Sequence, residues 1–131
     1  MKVDKASRYT RTHEWVRVEG AEVLSGITDY AQEQLSDIVY VELPTVGEHF
    51  AKGEVYGVVE SVKAASDCYM PAGGTIVATN EALSDSPQLV NQDPYQAAWF
   101  IRFRPDDMRE VEALMDADAY EQYVSTLEGA H

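Results

Sequence analysis

The sequence predicts a mainly β domain, a compact sandwich or barrel of short strands followed by two short helices at the C-terminus. Apolar and polar residues alternate through most of the first four-fifths of the 131-residue chain, which is the pattern of strands with one buried face. Turn signals that contain Gly or Pro separate these segments at short intervals. After Pro105 the apolar spacing changes to that of an amphipathic helix.

The first predicted elements are a hairpin and a short helix. Residues 14–18 alternate and predict a strand, a Glu-Gly turn follows, and residues 22–25 predict the return strand. Thr28 or Asp29 can cap the helix predicted over residues 30–35, because either side chain can accept a hydrogen bond from the first helical turn.

Further strands are predicted in the middle of the chain. Residues 37–42 are rich in β-branched and aromatic residues, which favours a strand. Turn signals follow, and residues 54–61 then predict a strand that residues 62–65 interrupt. The strand resumes over residues 67–70 and ends at a Pro-Ala-Gly-Gly turn, after which residues 75–78 predict another strand.

The last part of the chain changes from loop to strand to helix. Residues 80–94 are polar, contain two prolines and predict a long loop with a helical turn. The last strand has one buried face, because Trp99, Ile101 and Phe103 alternate with residues assigned to the exposed face: Phe100, Arg102 and Arg104. Pro105-Asp106-Asp107 suits a helix start, since acids complement the positive end of the helix dipole. Apolar residues then follow at helical spacing, with a break near Asp116: Met108, Val111, Leu114 and Met115, then Tyr120, Tyr123, Val124 and Leu127.

The composition is strongly acidic, with a formal net charge of −13. Such a surface repels nucleic-acid phosphates and anionic membranes, so neither is expected as a partner. A basic patch on a protein partner would be attracted. The composition alone is equally consistent with acidity that only keeps the protein soluble.

The cysteine and histidine content excludes two kinds of site. Cys68 is the only cysteine, so no disulfide can form within the chain. His13, His49 and His131 are too scattered for a familiar zinc spacing. The residues after Met1 lead into no apolar run, which predicts a cytoplasmic protein if the source is bacterial, or a mitochondrial matrix protein if the chain is a processed eukaryotic form.

No familiar catalytic motif is present, since phosphate-binding loops, a nucleophile elbow and a His-Glu-x-x-His pair are all missing. Cys68 has no motif partner and is interpreted as a cysteine of a half-buried strand. What remains is Glu60-Ser61-Val62-Lys63-Ala64-Ala65-Ser66-Asp67, with a lysine at the centre of a break between two strands. Lys63 is predicted to project into solvent from a turn, and spacing alone leaves open whether it is functional.

The surroundings of Lys63 resemble the attachment hairpin of lipoyl- and biotinyl-carrier domains, in which one lysine lies at a β-turn. The flanking segments with the matching glycines are Val46-Gly47-Glu48-His49-Phe50-Ala51-Lys52-Gly53 and Pro71-Ala72-Gly73-Gly74. Biotinyl domains carry Met on both sides of the lysine, and lipoyl domains of 2-oxoacid dehydrogenases usually carry Asp before it. This chain has Val62 and Ala64 at those positions.

Residues 59–67 are most similar to the glycine cleavage H protein family. Further motifs follow in that family's order: Tyr9-Thr10, His13-Glu14-Trp15-Val16, Gly26-Ile27-Thr28-Asp29-Tyr30-Ala31-Gln32, Val41-Glu42-Leu43-Pro44, Asn80-Glu81-Ala82-Leu83, Leu89-Val90-Asn91, Asp93-Pro94-Tyr95 and Trp99. The resemblance covers about Arg8 to Leu127. The chain departs from the family's usual residues at Cys68-Tyr69-Met70, Gly73-Gly74 and Gln96-Ala97-Ala98.

This resemblance implies a flattened β barrel-sandwich hybrid like that of lipoyl and biotinyl carriers, with short helices, two of them at the C-terminus. It implies a single domain over residues 1–131, a lipoyl-binding core over residues 22–104 and C-terminal helices over residues 105–127. It also implies a carrier protein rather than an enzyme, since the hard chemistry belongs to cofactors on the partner enzymes.

The resemblance further implies lipoate attached through an amide to Lys63. The carrier would take the aminomethyl group of glycine from the glycine decarboxylase (P protein) to the aminomethyltransferase (T protein). Dihydrolipoyl dehydrogenase (L protein) would reoxidise the dithiol by thiol–disulfide exchange. A lipoate ligase or an octanoyl/lipoyl transferase is the expected modifying partner, and the carrier is expected to be a monomer.

Two carboxylates are candidates for holding the loaded arm, which in this family folds back into a surface cleft. Glu14 stands at the matching position of His13-Glu14-Trp15, and Asp67 lies beside the hairpin. We hypothesise that one or both accept a charge-assisted hydrogen bond from the amine of the load. The alternative is that both are ordinary surface carboxylates. His13 and Trp15 are expected to close the fold rather than to touch the chemistry.

Three other functions compete with this interpretation. The chain could be an H-like lipoyl relay or a lipoyl domain that serves 2-oxoacid dehydrogenases. It could be an interaction module that kept the fold without lipoylation. An enzyme with intrinsic lipoamide chemistry is disfavoured, because the sequence offers no catalytic constellation.

Overall fold

The computed structural model describes residues 1–128, so that residues 129–131, which include His131, lie outside the described part. Within it the strands are β1 (Arg8–Tyr9), β2 (Glu14–Glu19), β3 (Glu22–Ile27), β4 (Ile38–Glu42), β5 (His49–Phe50), β6 (Val55–Ser61), β7 (Ala65–Tyr69), β8 (Gly74–Thr79) and β9 (Ile101–Pro105). The helices are α1 (Asp29–Leu35), α2 (Ala82–Asp85), α3 (Leu89–Gln92), α4 (Met108–Glu112) and α5 (Ala117–Glu128).

The strands form two antiparallel sheets. The larger has the order β1-β2-β3-β9-β8-β5, and the smaller has the order β4-β6-β7. The predicted mainly β fold with two short C-terminal helices is therefore confirmed. The smaller sheet matters most for function, because β6 and β7 form the hairpin that contains Lys63 at its bend.

The local chemistry explains the first elements. The turn between β2 and β3 contains Gly20 at φ 66°, a conformation that glycine adopts without steric cost. Of the two cap candidates, Thr28 is the one that caps α1, since its hydroxyl accepts a hydrogen bond from the Ala31 N–H at 3.2 Å. Asp29 instead lies in the first helical turn, where its carboxylate suits the helix dipole.

Several predicted boundaries were wrong in detail. Strand β7 begins at Ala65 rather than at residue 67, because the ladder already pairs Glu60 with Ala65. The last strand begins at Ile101, and both Ile101 and Phe103 are buried as expected. Phe100 was assigned to the exposed face but is 1% exposed. It precedes β9, where strand alternation does not apply, and its N–H donates to the Ser25 carbonyl.

Short elements account for the remaining differences. Strands β1 and β5 were not predicted, since two residues carry no periodicity. The predicted loop over residues 80–94 contains the two single-turn helices α2 and α3. Each exists because it packs an apolar side chain, Leu83 or Val90, into the core.

Two hydrophobic clusters hold the fold together. The larger fills the space between the sheets and includes Ile76, Phe100 and Phe103. The smaller attaches the N-terminal segment and α5 to the outer face of the large sheet, and it includes Tyr9, Trp15 and Tyr120. Trp99 is only partly buried and packs against this second cluster instead of the first.

Trp15 and His13 belong to the contacts that close the fold. Trp15 is fully buried, and its indole N–H donates to the Pro94 carbonyl at 2.9 Å. His13 Nδ1 lies 2.9 Å from the Tyr120 hydroxyl. Burial lowers the pKa of His13, so the neutral ring is favoured in this setting.

Replacing Tyr120 by Phe is expected to lower the free energy of unfolding by about 2 kcal/mol, since buried groups lose a partner. The Tyr120 hydroxyl lies 2.8 Å from Thr28 Oγ1 and 2.9 Å from His13 Nδ1. Denaturant unfolding measures the change. Tyr123→Phe is the matched control, because that hydroxyl makes one exposed bond, to the Arg11 carbonyl. Equal losses in the two variants would contradict the expectation.

Candidate functional site: a protruding lysine, a buried carboxylate and a cavity

The bend between β6 and β7 is fixed by hydrogen bonds on both sides of Lys63. The Ser61 N–H donates to the Ala64 carbonyl at 2.7 Å, which closes the hairpin. The Ser61 hydroxyl oxygen accepts bonds from the N–H groups of Lys63 and Ala64 at 3.2 and 3.0 Å. The Val62 N–H donates to the Asp37 carbonyl at 3.0 Å, so the segment before β4 supports the bend as well. The bend is therefore a defined turn.

The base of this hairpin is anchored in the core. Tyr56, Val59 and Cys68 point inward and are each at most 5% exposed. Gly57 faces the Glu42 carbonyl so closely that a Cβ at this position would collide with it. Burial raises the pKa of the Cys68 thiol, so this cysteine is an inert apolar side chain in the protein interior.

Lys63 itself is exposed at the bend, as the sequence predicted. Val62, Ala64 and Ala65 around it are exposed too. Within residues 1–128 Lys63 forms no ion pair. The Lys63 side chain is therefore accessible at the surface.

Glu14 is not a surface carboxylate, since only 1% of the residue is exposed. Its Oε1 accepts hydrogen bonds from the hydroxyls of Thr10 and Thr12. Its Oε2 has a single long contact, the Tyr69 N–H at 3.4 Å. Burial raises the pKa of Glu14 to about 7, although these hydrogen bonds act in the opposite direction.

A cavity of about 470 Å³ opens beside Glu14. Three of the groups that bond Glu14 or flank it also line the cavity, namely Thr10, Thr12 and Tyr69. The rest of the wall comes from distant parts of the chain: Tyr9, Arg11, Lys52, Gly53, Met70, Pro71, Ala113, Leu114 and Met115. The lining combines apolar side chains with hydroxyls, and Glu14 lies directly behind Thr10, Thr12 and Tyr69 without lining the cavity itself. Such a wall suits an apolar chain with a polar or cationic end.

Strand β7 connects the predicted site residues. It starts two residues after Lys63 and ends at Tyr69, whose N–H bonds Glu14. Asp67 lies on the same strand, is exposed, and makes no hydrogen bond to Glu14, whose partners are Thr10, Thr12 and Tyr69. Strand β7 thus runs from the bend that contains Lys63, through Asp67, to the Tyr69 wall of the cavity.

Sequence reasoning missed most of the cavity. Thr10 and Thr12 stand at alternating positions before Glu14, and this Thr-x-Thr-x-Glu spacing was the available signal. Lys52 and Leu114 are brought to the cavity only by the tertiary fold, so no local pattern could have revealed them.

Comparisons with known proteins agree on one family. The family model described as "Glycine cleavage H-protein" matches residues 7–127. A glycine cleavage system H protein of Anaeromyxobacter sp. (strain K) is 49% identical over 128 residues, which cover 98% of this chain and 100% of the relative. Another, from Thermus thermophilus, is 52% identical over 126 residues, which cover 96% of this chain and 98% of the relative.

The chain belongs to the glycine cleavage H-protein family. A crystal structure of a glycine cleavage system H protein from Mycobacterium marinum superimposes with a TM-score of 0.83 at 38% identity and covers 96% of this chain and 99% of that one. The expected barrel-sandwich hybrid is therefore confirmed. Within residues 1–128 no helix is both long and apolar enough to cross a membrane.

Family membership gives the general role. Glycine cleavage H proteins are lipoyl carriers of the glycine cleavage system and not enzymes, and they carry lipoate covalently on a lysine. The family works with the P, T and L proteins of that system. The predicted carrier role is thus confirmed at the level of the family.

Proposed function

We propose that Lys63 is the lysine of this chain that carries lipoate. The observation that supports this most directly is the exposure of Lys63 at the bend of a hairpin whose base is buried in the core. Acylation forms an amide between the lysine Nζ and the acyl carbon of an activated lipoyl donor, with loss of a proton from the amine and of the donor's activating group. When bound, lipoate supplies a disulfide that can accept the aminomethyl group of glycine and later be restored by oxidation.

The chain's own residues contribute position and shelter. The anchored hairpin holds Lys63 so that an attached group is tethered close to a partner's active site, which raises its effective concentration. One carrier then serves the decarboxylase, the aminomethyltransferase and dihydrolipoyl dehydrogenase in turn. We propose a lipoate ligase or an octanoyl/lipoyl transferase as the enzyme that modifies Lys63. The proposed carrier is a cytoplasmic monomer.

We propose that the cavity beside Glu14 receives the loaded end of the arm. The residues fit such a guest, since Glu14 is ionisable near neutral pH and its Oε2 has spare capacity to accept a hydrogen bond. An amine at this oxygen would form a charge-assisted bond in a place sheltered from water. Asp67, which lies on the strand between Lys63 and the cavity, would contact the same arm from its exposed side.

Intact-mass spectrometry tests the attachment. The protein co-expressed with a lipoylating enzyme is expected to gain the mass of one lipoyl group, and peptide fragmentation is expected to place it on Lys63. The same protein made without lipoate supplies the unmodified reference. A protein that stays unmodified, or that carries the group on another lysine, would contradict the proposal.

Removal of the Glu14 charge tests whether the cavity protects the loaded end of the arm from water. The lipoylated protein is loaded with glycine and the decarboxylase, and the release of ammonia into buffer is then followed. Glu14→Gln is expected to release ammonia several-fold faster, because its amide pairs more weakly with a cationic amine. Asp67→Asn is expected to act in the same direction but less strongly, since that carboxylate is exposed. Glu121→Gln, at an exposed position on α5, is the control. Equal rates in wild type and the three variants would contradict a role of Glu14 and Asp67 in holding the loaded arm.

A further inference from the structure

The four edges of the two sheets differ in how well they are covered. Strand β1 is covered by Met115, whose backbone exchanges hydrogen bonds of 2.8 and 3.1 Å with Tyr9. Strand β5 is only two residues long. At β4 the Ile38 N–H donates to the Asn91 side chain at 2.9 Å, and α2 packs beside the strand. Strand β7, with five residues, forms the fourth edge.

The direction of the β7 backbone groups follows from bonds at its two ends. Ala64 and Met70 face β6, since the Ala64 carbonyl accepts from Ser61 and the Met70 N–H donates to Glu54. Because strand residues alternate, Ala65, Asp67 and Tyr69 turn their backbone groups away from β6. The bond from the Tyr69 N–H to Glu14 confirms this direction.

The outward groups at the Lys63 end of β7 are unused. Within residues 1–128 the N–H groups of Ala65 and Asp67 and the Ala65 carbonyl have no hydrogen-bond partner outside the ladder, and the Asp67 carbonyl has only a 3.5 Å contact from the Ser66 hydroxyl. The side chains of Ala65, Ser66 and Asp67 are all exposed. An edge with unpaired backbone groups is a template for another strand.

We propose that this edge pairs with an extended strand of the enzyme that acylates Lys63. The inference rests on the proposed function, because it presupposes that Lys63 is acylated. Before acylation the reactive amine extends only one lysine side chain from the bend, so the acylating enzyme must contact the hairpin itself. The enzymes that use the finished arm can stand further away by the length of that arm. The edge closest to Lys63 therefore suits the acylating enzyme best.

Charge favours this occupant over a second copy of the chain. Asp67 places a carboxylate on the edge, and the net charge of −13 makes two copies repel one another. A strand with Lys or Arg opposite Asp67 would be attracted. The partner strand is thus expected to be extended and basic.

The test removes one outward donor without touching the ladder to β6. Asp67→Pro deletes an N–H that faces away from β6, a position where an edge strand tolerates proline. Asp67→Thr is the matched control, because it loses the same carboxylate but keeps the N–H and favours a strand. The probe is a purified lipoate ligase with lipoate and ATP, and the readout is kcat/KM for the carrier by intact mass.

We expect Asp67→Pro to lower kcat/KM about tenfold or more, because a hydrogen bond is lost and the ring blocks the approach of a strand. Asp67→Thr is expected to lower kcat/KM by only about threefold, which is the contribution of an exposed carboxylate that faces a basic strand. A normal rate for Asp67→Pro, or an equal loss in Asp67→Thr, would overturn the inference. In either case the proposed function would still hold as long as the wild-type protein is acylated on Lys63. Failure to acylate Lys63 in the wild type would contradict both the proposed function and this inference.

Hydrogen exchange gives a second measurement that does not depend on a foldable variant. In the wild-type protein, the amides of Ala65 and Asp67 are expected to exchange more slowly when the ligase is bound. The amide of Val46, which is exposed and distant along the chain, serves as the reference. Unchanged exchange at Ala65 and Asp67 in the complex would overturn the inference.

Discussion

Replacing Lys63 by Arg is expected to abolish lipoylation and to reduce glycine cleavage by the reconstituted P, T and L proteins to background. Arginine keeps the positive charge and the long stem, but its guanidinium stays protonated and is no acyl acceptor. The free energy of unfolding should change by no more than about 0.5 kcal/mol, because Lys63 is exposed and forms no ion pair within residues 1–128. Intact mass, denaturant unfolding and the reconstituted reaction measure the three quantities.

Lys52→Arg is the matched control for that substitution. Lys52 is also an exposed lysine in a turn, between Ala51 and Glu54. It should remain fully lipoylatable, since the resemblance and the hairpin geometry single out Lys63 alone. Lipoylation of the Lys63→Arg protein at Lys52, or loss of lipoylation in Lys52→Arg, would contradict the assignment.

In the wild-type protein, the titration of Glu14 is expected to change the free energy of unfolding by about 3 kcal/mol between pH 4.5 and 7. The Glu14→Gln variant is expected to lack this change. Burial raises the pKa of Glu14 from 4.5 to about 7, so the native protein binds a proton that the unfolded chain does not bind between these values. Stability then rises as pH falls from about 7 to 4.5, and the ionised, buried carboxylate costs the most above pH 7. The magnitude follows from 1.36 kcal/mol for each pKa unit.

The measurement compares the free energy of unfolding of wild type and variant at several pH values between 4 and 8, a range chosen to span the two pKa values. Burial also raises the pKa values of Tyr56 and Cys68, which stay neutral throughout. Burial lowers the pKa of His13, which destabilises the fold as pH falls, but this contribution is common to wild type and variant and cancels in their difference. Partial burial acts to raise the pKa of Asp4, but hydrogen bonds from Ser7, Ala6 and Arg17 outweigh it, so the pKa of Asp4 is lowered and its titration lies below the measured pH range. Glu121→Gln should follow wild type, and parallel curves for Glu14→Gln and wild type would show that Glu14 is ionised without cost.

The raised pKa of Glu14 also links stability to function. A carboxylate that is half protonated near pH 7 is poised to become fully charged when an amine arrives beside it. The unliganded protein would tolerate the buried acid by keeping its proton, and a cationic guest would displace that proton. The same burial that costs stability at high pH therefore favours binding of an amine.

Much of the hairpin could be predicted because its signals are local. The β-branched run before Val62, the small residues after Lys63 and the nearby glycine turns lie within a few residues of one another. Alternation and turn chemistry are short-range properties, so they define the bend from sequence alone. The start of β7 was misplaced by two residues because Ala and Ser carry little strand preference, and the ladder to β6 decided it.

The interior arrangement could not be predicted in this way. Phe100 was assigned to the exposed face, because periodicity does not tell where a strand begins. The sequence left open whether Glu14 is a surface acid or a site residue. In the structure Glu14 is buried, and one of its hydrogen-bond partners, Tyr69, is 55 residues away in the chain. A glutamate in a strand gives the same sequence pattern whether or not another segment of the chain covers it.

The sequence by itself determined the family, the mainly β character and the exposed lysine at a bend, because each depends on motifs and periodicities that are contiguous in the chain. Only the tertiary structure decided that Glu14 is buried beside a cavity and that the outer edge of β7 is left unpaired. Burial and edge exposure depend on which distant segments pack together, and the positions of Leu114, Met115 and Lys52 around the cavity are set by that packing.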